Sequence, residues 1–205
     1  MLSIGVSILT GLLAQLHLYL GPIPYTMQCM GVVLAGLLLP PKYSLLSTTI
    51  YLVFISLGLP LAAGFRGGLA VLLGPTGGYL LGFPISALLM SFSTRLYLRL
   101  RKMSLADIKS VDTAVLLCFS FLALLPMYIL GFAVFTYYAL GDQRLMQWVT
   151  TSTSIIGLDT SDPLMKLFIA TVAVFIPQDI FMDSLLAIVV SRYAARLLRF
   201  RGVVV

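Results

Sequence analysis

The sequence contains no glutamate, and only 10% of its 205 residues are charged. A soluble domain carries roughly 25% charged residues, so a water-facing globular surface is excluded. Cysteine is scarce too: Cys29 and Cys118 are the two, each inside an apolar run. They read as small buried hydrophobes, and neither a disulfide framework nor a metal site follows from them. His17 is the single histidine, and one imidazole without a second ligand reads as hydrogen-bonded structure. A Ser-His-Asp order of plausible depth, an HExxH pattern and paired His or Cys spacings are all missing. The nearest glycine pattern, Gly74-Pro75-Thr76-Gly77-Gly78, lacks the lysine of a phosphate loop. No catalysis, catalytic cofactor or metal is therefore expected. The N-terminus is apolar from Leu2 and has no charged leading segment, which argues against a cleaved signal peptide.

What is present is hydrophobic, 60% of the chain. At about 20 residues per crossing, the length fits roughly five to seven spans and leaves no room for a soluble catalytic domain. The expected fold is an all-α integral membrane protein of six transmembrane helices, a single domain over residues 1–205. The spans read as 4–20, 26–39, 43–57, 76–98, 113–140 and 177–198. Gly21-Pro22-Ile23-Pro24 marks a tight turn after the first. Pro126 is a candidate kink in the fifth. Residues 163–176 are apolar but too short to span, and Pro177 breaks the pattern after them. They read as a short lid or re-entrant helix before the sixth span, which then carries proline in its first turn. Ser3, Ser7 and Gly11 recur every four residues and share one helix face. Such a face lets another helix approach closely, either within this bundle or on a partner protein.

The stretch that breaks the apolar pattern most is 64–83, with seven glycines and one proline. It cannot be an ordinary spanning helix. Residues 64–75 read as a compact irregular loop, and 76 onward as a helix. Backbone of this kind at membrane depth must be buried in protein or line a cavity.

The net charge is +6. Ten of the thirteen Lys and Arg fall at the chain's tail, between residues 95 and 109, or at Lys42. The positive-inside rule then sets both termini in the cytoplasm and points to the anionic face of the cytoplasmic membrane, not nucleic acid, as the partner of these charges. The same rule puts the glycine-rich loop, Asp179 and the long polar connection 141–162 outside. The outer half thus gathers Gln28, Arg66, Thr76, Tyr79, Lys166 and Asp179 with a wall of Gly67, Gly68, Gly77 and Gly78. An apolar concavity with a few polar groups suits a small molecule. Arg66 or Lys166 could hold a carboxylate, or be a solvated or headgroup charge. Asp179 could accept N–H groups or cap its helix. Tyr79 could donate to a ligand or sit in an interfacial aromatic belt. Gln28 could bind ligand or join helices.

Pro24-Tyr25-Thr26-Met27-Gln28, Gly58-Leu59-Pro60, Gly67-Gly68-Leu69, Leu73-Gly74-Pro75-Thr76-Gly77-Gly78-Tyr79 and Phe175-Ile176-Pro177-Gln178-Asp179 resemble the BioY family through nearly the whole chain. The resemblance implies the biotin-binding membrane subunit (S component) of an energy-coupling-factor (ECF) importer. Its partners would be a transmembrane coupling protein and ATPase subunits, although some members are thought to act without them. It also implies that Ser3, Ser7 and Gly11 match, loosely, the face that meets the coupling protein. Two departures stand out. The family motif has glycine where Gln178 stands and lysine where Met182 stands, and Asp183 follows. The role of Asp179 in holding biotin carries over; that of the lysine does not. Biotin's ureido N–H would meet Asp179. Its carbonyl would meet Thr76, Tyr79 or Gln28, and its valerate carboxylate Arg66 or Lys166. The alternatives are a solitary biotin carrier, a subunit for another vitamin, and, more distantly, a small membrane lipid-modifying enzyme.

Overall fold

The computed structural model describes residues 2–19, 21–158 and 160–200. The first helix, α1 (Leu2–Ala14), stops well before residue 20, because the next residues form a two-stranded hairpin. β1 (His17–Tyr19) pairs antiparallel with β2 (Pro24–Thr26) in the register His17 to Thr26 and Tyr19 to Pro24. The Gly-Pro segment turns the chain between them. The fold is thus mostly helical rather than wholly so.

α2 (Gln28–Leu38) and α3 (Pro41–Ser56) follow, separated at Pro40, which caps α3 while Pro41 occupies its first turn. The segment from 57 to 68 is irregular. Gly68, at φ 96°, leads into a single helical turn, α4 (Leu69–Leu72). Next come α5 (Gly77–Leu100), a 3-10 turn at Leu105–Asp107, and α6 (Ser110–Gly141). Both long helices continue through an internal proline, Pro84 and Pro126. Residues 143–156, within the stretch read as a polar connection, form α7 (Gln143–Ile156). The Asp142 carboxylate caps its start by accepting from Arg144 N, and Gly157 at φ 75° ends it. α7 buries only Val149 and Thr153, which explains why hydropathy alone hides it.

The last element corrects the expectation of a separate lid. α8 is one helical run, 163–200, in which the winding changes twice. Its parts are Pro163–Phe168, a π segment Ile169–Ala173, Ile176–Gln178, a second π segment Asp179–Ser184, and Leu185–Phe200. Proline at 177 lacks a donor and would press on the carbonyl four residues back. Widened turns on either side make that room without ending the helix. Among the described residues three helices are long and apolar enough to cross a membrane: Gly77–Leu100, Ser110–Gly141 and Pro163–Leu197. α1 and α2 are shorter apolar helices.

α5 is the hub and packs on α2, α3 and α6. Its approach to α6 is closest at Gly78 and Gly82, where a side chain would collide with the α6 backbone at Leu130 and Met127. Hydroxyls cross-link the other contacts. Ser44 donates to Ala87 O (3.1 Å), Ser91 to Leu39 O (2.6 Å) and Ser47 to Ser3 O (2.8 Å). The last bond explains the small-residue stripe on α1. Ser3 and Ser7 are buried, and Gly11 lies under Leu61. The stripe is used inside this chain, on α3 and the following segment. α1 presents Leu2, Ile4, Ile8 and Leu12 outward, so of the two uses open to the Ser3, Ser7 and Gly11 face, packing within the bundle is the one seen in this chain.

Candidate functional site

The hairpin, the irregular segment 57–68 and the N-terminal half of α5 meet the middle of α6 and α8 around a cavity. Its empty space is about 660 Å³ including the open mouth. Five of the residues singled out from the sequence line it: Gln28, Arg66, Thr76, Tyr79 and Asp179.

The irregular segment reaches the cavity because polar side chains fix its backbone. Gln15 donates to Ala62 O (3.1 Å) and accepts from Phe65 N (2.9 Å). This holds Phe65 at φ 56°, a value non-glycine residues rarely adopt. Tyr19 donates to Ala63 O (3.1 Å), and the Arg66 guanidinium stands 5.7 Å over the Tyr19 ring. Arg66 also donates to Ala63 O (3.0 Å) and is exposed. It marks the mouth, and its Nη donors make no hydrogen bond among the described residues.

A polar chain runs along one wall. The Thr26 hydroxyl donates to Gln28 Oε1 (3.0 Å), Gln28 Nε2 donates to the Tyr51 hydroxyl (2.5 Å), and Tyr51 donates to Leu61 O (3.0 Å). Gln28 therefore both joins elements and lines the cavity. Tyr79 gives its proton to Thr171 O (2.7 Å), so its hydroxyl offers a ligand an acceptor. Thr76 has no hydrogen-bond partner for its hydroxyl among the described residues and keeps its donor.

The floor is acidic. Asp179 is 5% exposed and accepts from the Tyr128 hydroxyl at 2.5 Å. Asp183, fully buried, accepts from Met30 N at 3.1 Å through one carboxylate oxygen, while the other has no partner among the described residues. Donor atoms of Cys29, Asp179 and Asp183 lie within 4.8 Å of one another. As placed, the thiol meets Met127 Sδ at 3.6 Å, and both carboxylates accept hydrogen bonds from the protein. Cys29 and Asp179 line the cavity, and Asp183 lies buried behind them. Met182 is 52% exposed and faces away from it, so this chain brings Asp183 inward in place of the residue before it. Apolar rings complete the cavity. Phe83 and Phe175 line it, and Tyr25 stacks on Phe175 at 4.3 Å between centroids. Burial, and secondarily the charge of Asp179, pushes the Tyr25 phenol above its ordinary value, so it stays a neutral donor.

Five sequence candidates lie elsewhere. Gly67 backs onto the carbonyls of Gly58 and Leu59, Gly77 onto Leu72, and Gly78 onto α6. Gly68 serves the turn before α4. These glycines shape the wall from behind. Lys166 is half-buried in the first part of α8, outside the lining. Tyr128, Met127, Phe83 and Phe175 belong to the site, and sequence reasoning did not find them.

A bundle of apolar helices around a cavity with a buried carboxylate and a guanidinium at its mouth has the form of a small-molecule site among helices of the membrane-spanning kind. Comparison with known proteins narrows the class. The profile of the BioY family matches residues 1–199, and the chain belongs to that family. It is 30% identical over 185 residues to the Rhodobacter capsulatus protein named "Biotin transporter BioY", covering 88% of this chain and 85% of that one. It is 51% identical over 78 residues to the Pyrococcus horikoshii protein named "Probable biotin transporter BioY", covering 38% of this chain and 48% of that one. In the match to the Pyrococcus protein, the chain spans about half the relative's length. The fold is similar to the crystal structure of the S-component for biotin from an ECF-type ABC transporter. The TM-score is 0.69 at 24% identity, over 95% of this chain and 89% of that one.

Proposed function

We propose that this chain binds biotin from outside and delivers it across the cytoplasmic membrane as the substrate-binding subunit of an ECF-type importer. The observation that carries the reading is the polarity of the cavity: a buried carboxylate at one end, an exposed guanidinium at the other, and aromatic rings between. Biotin has the matching polarity, with two ureido N–H donors at one end and a carboxylate at the other. Tyr128 occupies one oxygen of Asp179, which leaves the second to accept a ureido N–H. Thr76 donates to the ureido carbonyl, the bicyclic ring lies against Phe175 and Phe83, and Arg66 takes the valerate carboxylate. Lys166 is not needed for it.

In this reading the whole chain is one substrate-binding domain. α1, α2, α3, α5, α6 and α8 make six crossings, both termini are cytoplasmic, and the glycine-rich segment faces outward. The hairpin and α7 cover the external end. Gly21 lies directly under the Trp148 indole, so the hairpin turn and α7 move as one cover. Closure of these loops over biotin would exclude water. The ligand would cross unchanged, with energy from ATP hydrolysed by partner subunits that meet a coupling protein.

A second reading, a subunit for another vitamin, is favoured by one observation: Asp183 is buried beside Asp179 just behind the cavity lining, and Arg66 at the mouth is the one cation among the described residues that line the cavity. Calorimetric titration of biotin into the purified protein, with lipoate and thiamine as controls, separates the two. Tight one-to-one binding of biotin alone supports the first reading, and binding of another ligand in its place supports the second. Uptake into vesicles that lack ATPase subunits tests the solitary-carrier form.

A further inference from the structure

At the other end of the molecule the ends of α5 and α8 enclose a recess that the biotin reading does not use. Arg95 and Arg99 of α5, Lys102 just beyond it, and Arg199 of α8 line this recess, together with Ser104 and Asp107. Its empty space is about 830 Å³ including the open mouth. We propose that it is a binding site for the phosphate headgroup of an anionic membrane lipid.

Four features carry the proposal. The first is charge. The recess holds four cations and one acid, and that acid is already engaged: Arg199 reaches Asp107 at 2.6 Å and also bonds the Ser104 hydroxyl. Among the described residues neither Arg99 nor Lys102 has an ion-pair partner. The second is an unmet donor. Nη2 of Arg95 reaches Leu38 O only at 3.5 Å, and its Nε is buried without a partner among the described residues. The Arg95 guanidinium lines the recess and carries further N–H donors beyond Nε for an acceptor that enters it.

The third is backbone conformation. Lys102 sits at φ 49°. It closes α5 at the position glycine ordinarily takes, and Met103 N bonds back to Leu98 O at 3.1 Å. A lysine here accepts strain that glycine would avoid and gains a charge at the recess. The fourth is place. The recess lies at the ends of two of the helices long enough to cross a bilayer. Leu98 and Met103 line it, while Leu96, Leu100 and Leu197 are exposed beside it. Those apolar side chains suit acyl chains, whereas a soluble anion would have no use for them. Basic residues at the cytoplasmic ends of spans attract anionic lipid in the same way.

The test uses the purified, delipidated full chain in neutral detergent. Its thermal unfolding is followed with added phosphatidylglycerol, phosphatidylcholine or inorganic phosphate. Phosphatidylglycerol should raise the midpoint at low concentration, and the two others should not. The variant Lys102→Gly removes the charge and relieves the positive φ, so it folds at least as well as the parent. It should need about fivefold more phosphatidylglycerol for the same rise. Arg99→Gln with Lys102→Gly should need roughly thirtyfold more. Native mass spectrometry should show the anionic lipid retained by the parent and lost from the double variant. Equal stabilisation by phosphatidylcholine, or an unchanged response in Lys102→Gly, would overturn the site. An equal response to inorganic phosphate would overturn the lipid as its occupant and leave a soluble anion.

Discussion

Tyr128 is where residue-level reasoning has its sharpest consequence. Its hydroxyl donates to Asp179 at 2.5 Å. Hydrogen bonds to charged groups contribute about 1.5–3 kcal/mol. Tyr128→Phe should therefore weaken biotin binding by about tenfold, and Asp179→Asn by more, both read by calorimetry on variants with parental unfolding midpoints. Arg66→Ala should also weaken binding, whereas Lys166→Ala should leave the affinity within about twofold, because Lys166 lies outside the cavity lining. Asp179, Arg66, Gln28, Thr76 and Tyr79 were legible because each is a polar side chain that interrupts or adjoins an apolar run. Tyr128 and Phe175 were not. In a helix as uniformly apolar as α6, an aromatic residue gives no contrast, and only the packing of α5 against α6 shows which side of it faces inward.

At the scale of elements, α5 against α6 is the contact most sensitive to side-chain size. Gly82→Leu would drive a side chain into the α6 backbone at Met127. It should lower stability by at least the 1–3 kcal/mol typical of overpacking, measured as a fall in unfolding temperature in detergent. Ser47→Ala removes the bond from α3 to Ser3 O. It should cost about 0.6 kcal/mol and no more than about 1.7, as interhelical hydrogen bonds in membranes do. The long apolar helices were legible because length and hydropathy suffice for them. The hairpin was not: Leu16, Leu18 and Tyr19 continue the apolar run of α1 although the backbone has left the helix. α7 escaped for the opposite reason, since it buries so little that its composition looks like a loop. The unity of α8 was hidden by Pro177, a residue that usually ends a helix and here is absorbed by altered winding.

For the molecule as a whole, the Asp107–Arg199 pair ties the far end of the chain to the loop after α5, helped by Arg196 Nε donating to Ala106 O at 3.1 Å. Hydrogen bonds from Arg199 and then Ser104 hold the Asp107 carboxyl below its ordinary value of 3.8. A depressed carboxyl contributes stability above its unfolded value and loses it as pH falls through the folded one. The difference in unfolding temperature between the parent and Asp107→Asn should therefore be steady from neutral pH to about 4 and shrink below it. It should be small throughout and smaller at high salt, because both side chains are about half exposed.

The second π segment, Asp179–Ser184, reaches further than its six residues suggest. A wider turn advances each residue by a smaller angle than an α turn does, so the side chain three positions beyond Asp179 turns away from it while the fourth stays on its side of the helix. The third, Met182, swings to the lipid side, and the fourth, Asp183, comes round beside Asp179. Position in a motif and direction in space are therefore separate coordinates in this helix. Rewinding this one turn would bring a different side chain beside Asp179, with no change in the loops and none in the length of the chain.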